Sequence, residues 1–540
     1  MKNRFRFLGL VAAVAIMGFG LAGCDNGGGG TDGFSITVTG MPSGTPAFHL
    51  YSRFCADGYT QHVGGSRYHG GGGGATGTVT FNIHTDVVLP TYLFGRLCPW
   101  GGGGGHDDVR FMPLRRITGS FQIDFDDLVP SHYTDDQGIV FLIETNGAFP
   151  VNGQDASGHV TIPALIHGTF PVRWTGQNTF ENNTNITSVT IPASVTDIGS
   201  NAFYGTNLTS VTIPASVINI GSRAFSGNTN LATVVFEEGS RIQTINGFSH
   251  NTSLTSIAIP ASVTDIGSDA FSNNTSLATV TFEEGSQLQT ISGFAYNTSL
   301  TSITIPASVT DIGHWAFHGT NLTSVTIPAG VTNIGSSAFS GNTSLATVVF
   351  EEGSQLTTIT GRTWMWSASR GAFENNTSLT AITIPASVTY IGSSAFYGNT
   401  SLATVTFEDG SRLSYIRHGA FTNNTSLTAI TIPASVTYIG SSAFYGNTSL
   451  ATVTFEDGSR LSHIYGAAFA NNTSLTAITI PASVTLSGQA AFSGWTANQT
   501  IYIPHSTLEP AGWDPSWRNG NNARIYNNLT TPPTRLWPAP

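Results

Sequence analysis

Charged side chains are scarce in this chain of 540 residues: they make up 9% of it, and Lys2 is the only lysine. The formal net charge is −11. Because a protein needs a basic surface to bind phosphate groups, we expect no nucleic-acid partner. Solubility must come instead from the abundant hydroxyl and amide side chains, which is unusual for a cytosolic enzyme.

Catalytic signatures are also missing. The sequence contains no nucleophile elbow, no HExxH, no P-loop and no pair of closely spaced cysteine ligands. The histidines and aspartates around the two long glycine runs match no metal-ligand spacing. We therefore expect a protein that is not an enzyme and that carries neither a cofactor nor a metal.

The N-terminal apolar stretch, Leu8 to Leu21, is too short to cross a bilayer comfortably. Basic residues precede it, and it ends in Leu-Ala-Gly-Cys, which resembles a bacterial lipobox. This pattern predicts a signal peptide at residues 1–23, lipidation of Cys24 and a glycine-rich tether at residues 24–33. We expect the exported chain to be anchored in the cell envelope, at the outer membrane or cell surface, with a net charge of about −14.

Cysteine is rare: besides Cys24, only Cys55 and Cys98 occur. An even pair of cysteines in an oxidising compartment favours one disulfide. Two free buried thiols are the alternative that the sequence leaves open.

Residues 34–150 show the alternation of apolar and polar residues that is typical of strands. The alternation is clearest in FSITVTGM from Phe34, in GTVTFNIHT at 77–85 and in GSFQIDF at 119–125. Glycine and proline bound these segments. They predict a small β-rich, sandwich-like domain.

From residue 186 to 498 the chain repeats one pattern thirteen times. Apolar residues recur at fixed offsets, as in ITSVTIPASVTDIGSNAF from Ile186, and units follow each other at 22 to 25 residues except for one step of 34. This period predicts a mostly β, leucine-rich-repeat-like solenoid in which each unit adds one short parallel strand, such as Ser-Val-Thr-Ile, ended by a proline. Leu, Ile, Val and Phe side chains are expected to point inward, because stacking buries what no single unit can bury.

Two kinds of unit alternate over much of the array. One has Ile-Pro after its strand, and the other has Phe followed by an acidic pair. The ends of such an array need covers. We predict a divergent first coil or cap at residues 151–185 and a C-terminal cap and tail at residues 499–540, with Trp513 and Trp517 in the cap.

The motif LxxVxIPxSVxxIGxxAFxxN, carried by Leu300 to Asn321 among others, resembles the BspA-like leucine-rich repeat of bacterial surface proteins. That repeat is also common in treponemes and in some parasitic protists. The resemblance covers about 320 of the 540 residues. It implies a right-handed solenoid, display on the cell surface, and adhesion to host proteins or to other bacteria, and it supplies no catalytic residue.

Three polar patterns follow the repeat. Outward strand positions carry Thr or Ser, as at Thr279 and Thr281 and at Thr404 and Thr406, and we predict that these exposed rows contribute to ligand binding. Acidic pairs such as Glu456-Asp457 occur in alternate units, too far apart to share one ion, so we interpret them as a solvated acidic stripe. The recurrent NNTS and GNTS stretches predict ladders of stacked asparagines between coils.

The step of 34 residues contains the insertion GRTWMWSASRG at residues 361–371. A solenoid expels such extra residues as a loop, often on its binding side, and exposed tryptophan is favoured at interface hot spots. We therefore predict a binding site here, and the alternative is that both indole rings fold back and shield a neighbouring coil. The predicted site residues are Trp364, Met365, Trp366, Arg362 and Arg370.

These features together predict a lipid-anchored surface protein that adheres to host extracellular-matrix proteins or to bacterial surface proteins. A cell-envelope scaffold without a specific ligand is one alternative. A carbohydrate- or ice-binding surface is another, although Ala381, Ala429 and Ala477 interrupt one of the Thr rows. Asp25 leaves the choice of membrane open, because an aspartate after the lipidated cysteine retains some bacterial lipoproteins at the inner membrane.

Overall fold

The computed structural model describes residues 132–144, 147–362, 370–503 and 512–526, together with the backbone of the strands before residue 132 and of Asn527. All regular structure in this part of the chain is strand, without a helix, which confirms the mostly β prediction. Two compact units are present: Met1–Ala156 with Ile162–Thr179, and Ser157–Thr161 with Phe180–Pro540. Cys24, Cys55 and Cys98 lie outside the described residues, so lipidation and the disulfide stay predictions.

The first unit contains the three segments predicted from alternation. Gly33–Met41 pairs antiparallel with Gly77–His84 and parallel with Phe121–Asp124, so these segments form one sheet. The strands of this unit are Val11–Ala15, Gly33–Met41, Phe48–Arg53, Thr60–Ser66, Gly77–His84, Tyr92–Leu97, Arg110–Pro113, Phe121–Asp124, Val129–Pro130, His132–Thr134, Val140–Glu144, Gly147–Asn152, Leu165–Ile166 and Phe170–Pro171.

The second unit is a β-solenoid of about 14 turns. Most coils contribute one longer strand on which outward and buried residues alternate, as the repeat pattern predicts. These long strands are Gly158–Thr161, Ile186–Thr190, Ser210–Ile213, Thr233–Phe236, Ser256–Ile259, Thr279–Phe282, Ser324–Ile327, Thr347–Phe350, Ala381–Ile384, Thr404–Phe407, Ala429–Ile432, Thr452–Phe455, Ala477–Thr479, Thr500–Ile503 and Arg524–Asn527.

A second set of strands, which the sequence analysis did not predict, connects the coils continuously. Thirteen two-residue strands pair in parallel as one sheet, here called the ladder. Its isoleucines point inward, and the residue before each isoleucine points outward. The ladder strands are Asp197–Ile198, Asn219–Ile220, Thr244–Ile245, Asp265–Ile266, Thr290–Ile291, Asp311–Ile312, Asn333–Ile334, Thr358–Ile359, Tyr390–Ile391, Tyr415–Ile416, Tyr438–Ile439, His463–Ile464 and Leu486–Ser487.

The long strands, in contrast, do not pair at every step between coils. Ser256–Ile259 pairs with Thr279–Phe282 over four residues, but residues 302–305 of the next coil form no strand. Pro306 follows them, and it lacks the N–H that could bond to the last carbonyl of the preceding strand. At this step and at the equivalent one after Thr452–Phe455, the coils leave open grooves of about 510 and 490 Å³.

Phenylalanine forms the central column of the solenoid. Successive rings stack at centroid distances of 5.0 to 5.9 Å, and the stacked side chains are fully buried. Burying one such ring stabilises the fold by about 1.5–3 kcal/mol before any stacking contribution. The column consists of Phe180, Phe203, Phe225, Phe248, Phe271, Phe294, Phe317, Phe339, Phe373, Phe396, Phe421, Phe444, Phe469 and Phe492.

Buried asparagines run beside the phenylalanine column, as the NNTS and GNTS stretches predict. The backbone N–H of Asn376 donates to Asn399 Oδ1 at 2.6 Å, and the N–H of Asn399 donates to Asn424 Oδ1 at 3.0 Å. The side-chain amide of Asn399 donates to the carbonyl of Phe396 at 3.1 Å. Asn399 thereby satisfies a carbonyl in the turn of its own coil and a donor in the preceding coil.

Tryptophans close the last coil. Trp495 and Trp517 both pack edge-on against Phe492, at 5.3 and 6.1 Å between centroids, and Trp513 packs edge-on against Trp517 at 5.0 Å. All three indoles are at most 7% exposed. They cover the end of the phenylalanine column, which otherwise faces water.

Candidate functional site

The Ser/Thr rows of the long strands face solvent. Thr279, Thr281, Thr404 and Thr406 are all exposed, and the valine between each pair of threonines is buried. Not every hydroxyl in these rows is free to contact a ligand, however, because the hydroxyl of Thr406 bonds to that of a neighbouring threonine, Thr383, at 2.8 Å. Valines also enter the rows and are 46–47% exposed. The four threonines thus lie on a surface, and Thr281 lines the groove of about 510 Å³ that follows its strand, but the four do not form a uniform hydroxyl lattice.

The outward residues of the ladder change character along the solenoid. From Asp197 to Thr358 every ladder strand presents Asp, Asn or Thr. The next three strands present Tyr390, Tyr415 and Tyr438, and the one after them presents His463. Nothing in the packing of the coil requires this change, since the buried isoleucine of each strand is retained.

The surface that we call the tyrosine face consists of Tyr390, Tyr415, Tyr438, His463, Tyr465 and Arg417. Ring centroids are 6.4 Å apart from Tyr390 to Tyr415, 5.9 Å from Tyr415 to Tyr438 and 4.6 Å from Tyr438 to Tyr465. Tyr415 is 44% exposed. Burial raises the pKa of the Tyr438 phenol, and Tyr465 adds to that rise. The face is a row of neutral phenols whose hydroxyls can donate and accept hydrogen bonds.

Arg417 lies in the middle of the tyrosine face. Its guanidinium carbon is 5.7 Å from the ring centroid of Tyr390 and 5.4 Å from that of Tyr438, which is within cation–π range. Within the described ranges of the chain, no carboxylate forms an ion pair with Arg417. Among the described residues, its charge is therefore stabilised by two aromatic rings rather than by a carboxylate.

The insertion leaves the solenoid where the tyrosine face begins. Thr358–Ile359 pairs with Tyr390–Ile391 in the ladder, and Arg362 then donates its backbone N–H to the carbonyl of Ser393 at 2.8 Å. Trp364, Met365 and Trp366 lie outside the described residues. Their role in binding stays a prediction.

The two flanking arginines are held in different ways. The Arg362 guanidinium pairs with Glu374 at 2.8 Å, and this hydrogen bond raises the pKa of Arg362. Glu374 is only 2% exposed, so the pair ties the first end of the insertion to the solenoid. Arg370 is held by its backbone, whose N–H donates to Ser337 Oγ at 2.6 Å.

Both acids of every pair are exposed, as in the predicted solvated stripe, and the first acid of each pair also makes a hydrogen bond. Glu456 Oε2 accepts the backbone N–H of Ala434 in the preceding coil at 2.8 Å. The first acid of the other four pairs makes the same bond at 2.9 to 3.0 Å. The first acid of each pair thus has a structural role, because it accepts a hydrogen bond from the backbone N–H of the alanine that follows the proline of the preceding coil.

An aromatic cluster surrounds His318, another position that the sequence analysis did not select. Tyr296 and Trp315 lie edge-on to the imidazole at 4.9 and 4.6 Å, and both adopt a φ of 60°, which is unusual for bulky residues. The imidazole Nδ1 lies 2.6 Å from Ser340 Oγ, and Nε2 lies 3.1 Å from the hydroxyl of Tyr296. Ser340 is fully buried, so this pair presents no nucleophile to a substrate.

Acid is expected to destabilise the solenoid through His318. Burial lowers the pKa of this imidazole below the ordinary value of 6.5, with Arg370 contributing. The unfolded chain therefore binds the proton more readily, so the stabilisation is complete above pH 6.5 and is lost as the pH falls toward the depressed pKa. Urea midpoints between about pH 7.5 and 5.0 should decline more steeply for the natural protein than for His318→Gln. Equal slopes, with exposed His250→Gln as the control, would contradict this.

A sequence signal for the tyrosine face was present. The proline units read SVTDI, SVINI or GVTNI in the earlier part of the array and SVTYI at residues 387–391 and 435–439. The ladder itself was not predicted from the sequence. The residue before the isoleucine was therefore not identified as a position that faces solvent in every coil.

The repeat region matches the model of a known family. The model of the BspA type leucine rich repeat region matches in six copies, over residues 174–293, 274–369 and 366–499. No curated protein gives a significant match. Among the described residues, no helix has the length and apolar character needed to cross a bilayer.

Several solved structures are similar. A leucine-rich cell-surface protein from Faecalibacterium prausnitzii is 29% identical, over 74% of this chain and 95% of that one, with a TM-score of 0.41. A leucine-rich repeat protein from Bacteroides ovatus is 22% identical, over 73% and 99%, with a TM-score of 0.46. The pneumococcal vaccine antigen PcpA is 16% identical, over 73% and 98%, with a TM-score of 0.39. The family model matches more than half of the residues of this chain. The chain therefore belongs to the BspA-type leucine-rich repeat family.

Proposed function

We propose that this protein is displayed on the bacterial surface, anchored by lipid at Cys24, and binds protein ligands through the tyrosine face and the insertion beside it. The ligands are host extracellular-matrix proteins or bacterial surface proteins. A solenoid of this family is a typical non-catalytic binding scaffold, which supports binding rather than catalysis.

The tyrosine face is the observation that carries the proposal. Tyrosine and arginine are enriched at binding hot spots, because they combine a large contact area with a polar group. Here they replace the Asp, Asn and Thr that serve equally well in the other ladder strands. The insertion starts beside them, at Arg362, which supports a binding site that includes both.

The test measures binding of the full-length protein, purified in detergent, to immobilised extracellular-matrix proteins and to bacterial cells. Tyr415→Ala/Tyr438→Ala is expected to weaken binding at least about tenfold, as expected for the loss of two hot-spot residues. Tyr445→Ala is the matched control, since Tyr445 is 36% exposed but lies outside the ladder. Trp364→Ala/Trp366→Ala tests the insertion separately.

Each outcome decides one part of the proposal. Loss of binding in the double tyrosine variant, with Tyr445→Ala unchanged, supports the tyrosine face. Equal binding by the double tryptophan variant removes the insertion from the site. If the natural protein binds none of these ligands, the scaffold without a ligand becomes the better account.

A further inference from the structure

We infer that the tyrosine face recognises an acidic, extended segment of its protein ligand, with Arg417 as the anchor for a carboxylate. This inference rests on the proposed function and names the chemistry of the partner. It follows from charge, geometry and spacing on this face.

The charge on this face is opposite to that of the protein. The ladder segments 389–393, 414–418, 437–441 and 462–466 contain no acidic residue, and they include Arg417, His418 and His463. The earlier half of the ladder instead presents aspartate on three strands. Because the chain as a whole is acidic, the positive charge of Arg417 in segments without a carboxylate is a local exception, and it favours an acidic segment here.

The side chain of Arg417 is preorganised for binding an anion. Its guanidinium is already ordered between Tyr390 and Tyr438, so binding costs little side-chain entropy. It has no carboxylate partner among the residues that the structure describes, and its fork of donors fits a carboxylate in bidentate geometry. The neighbouring phenol of Tyr415 can donate a further hydrogen bond to the same group.

The spacing of the rings fits an extended peptide along the solenoid axis. Alternate side chains on one face of a strand are about 6.4–6.8 Å apart. The ring centroids of Tyr390, Tyr415 and Tyr438 are 6.4 and 5.9 Å apart. Alternate side chains of an extended segment, which lie on one face of it, can therefore fall between successive tyrosines, with an acidic residue opposite Arg417.

The test uses a fluorescein-labelled peptide of alternating glutamate and serine with the full-length protein. The matched glutamine–serine peptide removes the charge, and an oligogalacturonate provides an anionic sugar chain. We expect the glutamate peptide to bind at least about tenfold more tightly than the other two and to lose affinity as salt is raised. Equal binding of the glutamine peptide, preference for the oligogalacturonate, or no binding of the glutamate peptide overturns the inference.

A matched pair of variants locates the anchor. Arg412 lies in the same coil as Arg417 but outside the ladder, and its side chain is exposed. Arg417→Gln should lower the affinity for the glutamate peptide about tenfold or more, whereas Arg412→Gln, with the same change of net charge, should leave it within about twofold. If the two variants lowered the affinity equally, the affinity would depend only on net charge, and the role of Arg417 would be overturned.

Failure of this inference is distinguishable from failure of the proposed function. If Tyr415→Ala/Tyr438→Ala loses binding to matrix proteins while Arg417→Gln retains it, the protein-binding face stands and its acidic partner does not. If no protein ligand is bound at all, both fail. Thermal unfolding of each variant confirms that a loss of binding is not a loss of fold.

Discussion

Phe396→Ala is expected to lower the free energy of unfolding by about 3–5 kcal/mol. The ring is fully buried and stacks on Phe373 at 5.4 Å and on Phe421 at 5.2 Å. Alanine leaves a cavity that the neighbouring coils cannot close, because the main chain of each coil is held by the ladder above and below it. Urea unfolding followed by circular dichroism measures the loss.

The position of this substitution adds a second expectation. In a solenoid the stability is close to a sum of coil stabilities and interfaces between neighbours, so a weakened coil in the middle can separate the two halves. We expect the unfolding transition to broaden or to split. Tyr415→Ala is the control, because that ring is 44% exposed and should cost less than about 1 kcal/mol. Similar losses for the two variants would contradict the phenylalanine column as the main source of stability.

Asn399→Leu is expected to cost about 2–6 kcal/mol, although leucine has nearly the same size. The substitution removes the acceptor of the Asn376 N–H and the donor to the carbonyl of Phe396, and both groups are left buried. Each unpaired group costs about 1–3 kcal/mol. Thermal and urea unfolding measure the effect.

A natural variation in the array provides the control for Asn399. Thr320 occupies the equivalent place in its coil, and its hydroxyl donates to the carbonyl of Phe317 at 3.1 Å. Asn399→Thr should therefore satisfy the carbonyl of Phe396 and recover part of the loss. If leucine were as well tolerated as threonine, burial of volume rather than hydrogen bonding would explain the asparagine column.

Repetition made most of the fold predictable. The offsets of Leu, Ile, Val and Phe identified the residues that the structure buries, and the alternation in Ser-Val-Thr-Ile identified which threonines are exposed. The asparagine ladders were predicted from the turn preferences of that residue alone. Such predictions succeed because every unit solves the same packing problem, so the same residue type recurs wherever the same environment does.

The candidate site was less predictable, for two physical reasons. A two-residue strand such as Tyr415–Ile416 is too short for periodicity to reveal, and it exists only because neighbouring coils bring the equivalent residues into register. The exposure of the acidic residues was predicted, but their hydrogen bonds were not, because sequence distance conceals that Glu456 reaches Ala434, 22 residues earlier, across one coil. Arg417 looked like an ordinary surface charge until its two tyrosine neighbours were known.

Composition, period and pattern alone thus determined the class of this protein: a weakly charged array of short coils with an apolar interior, because burial of apolar side chains depends on local pattern repeated many times. Only the tertiary structure shows which solvent-facing residues lie next to each other. Tyr390, Tyr415, Tyr438 and Arg417 belong to three different coils, and only the stacking of those coils converts residues separated by a full repeat into one surface.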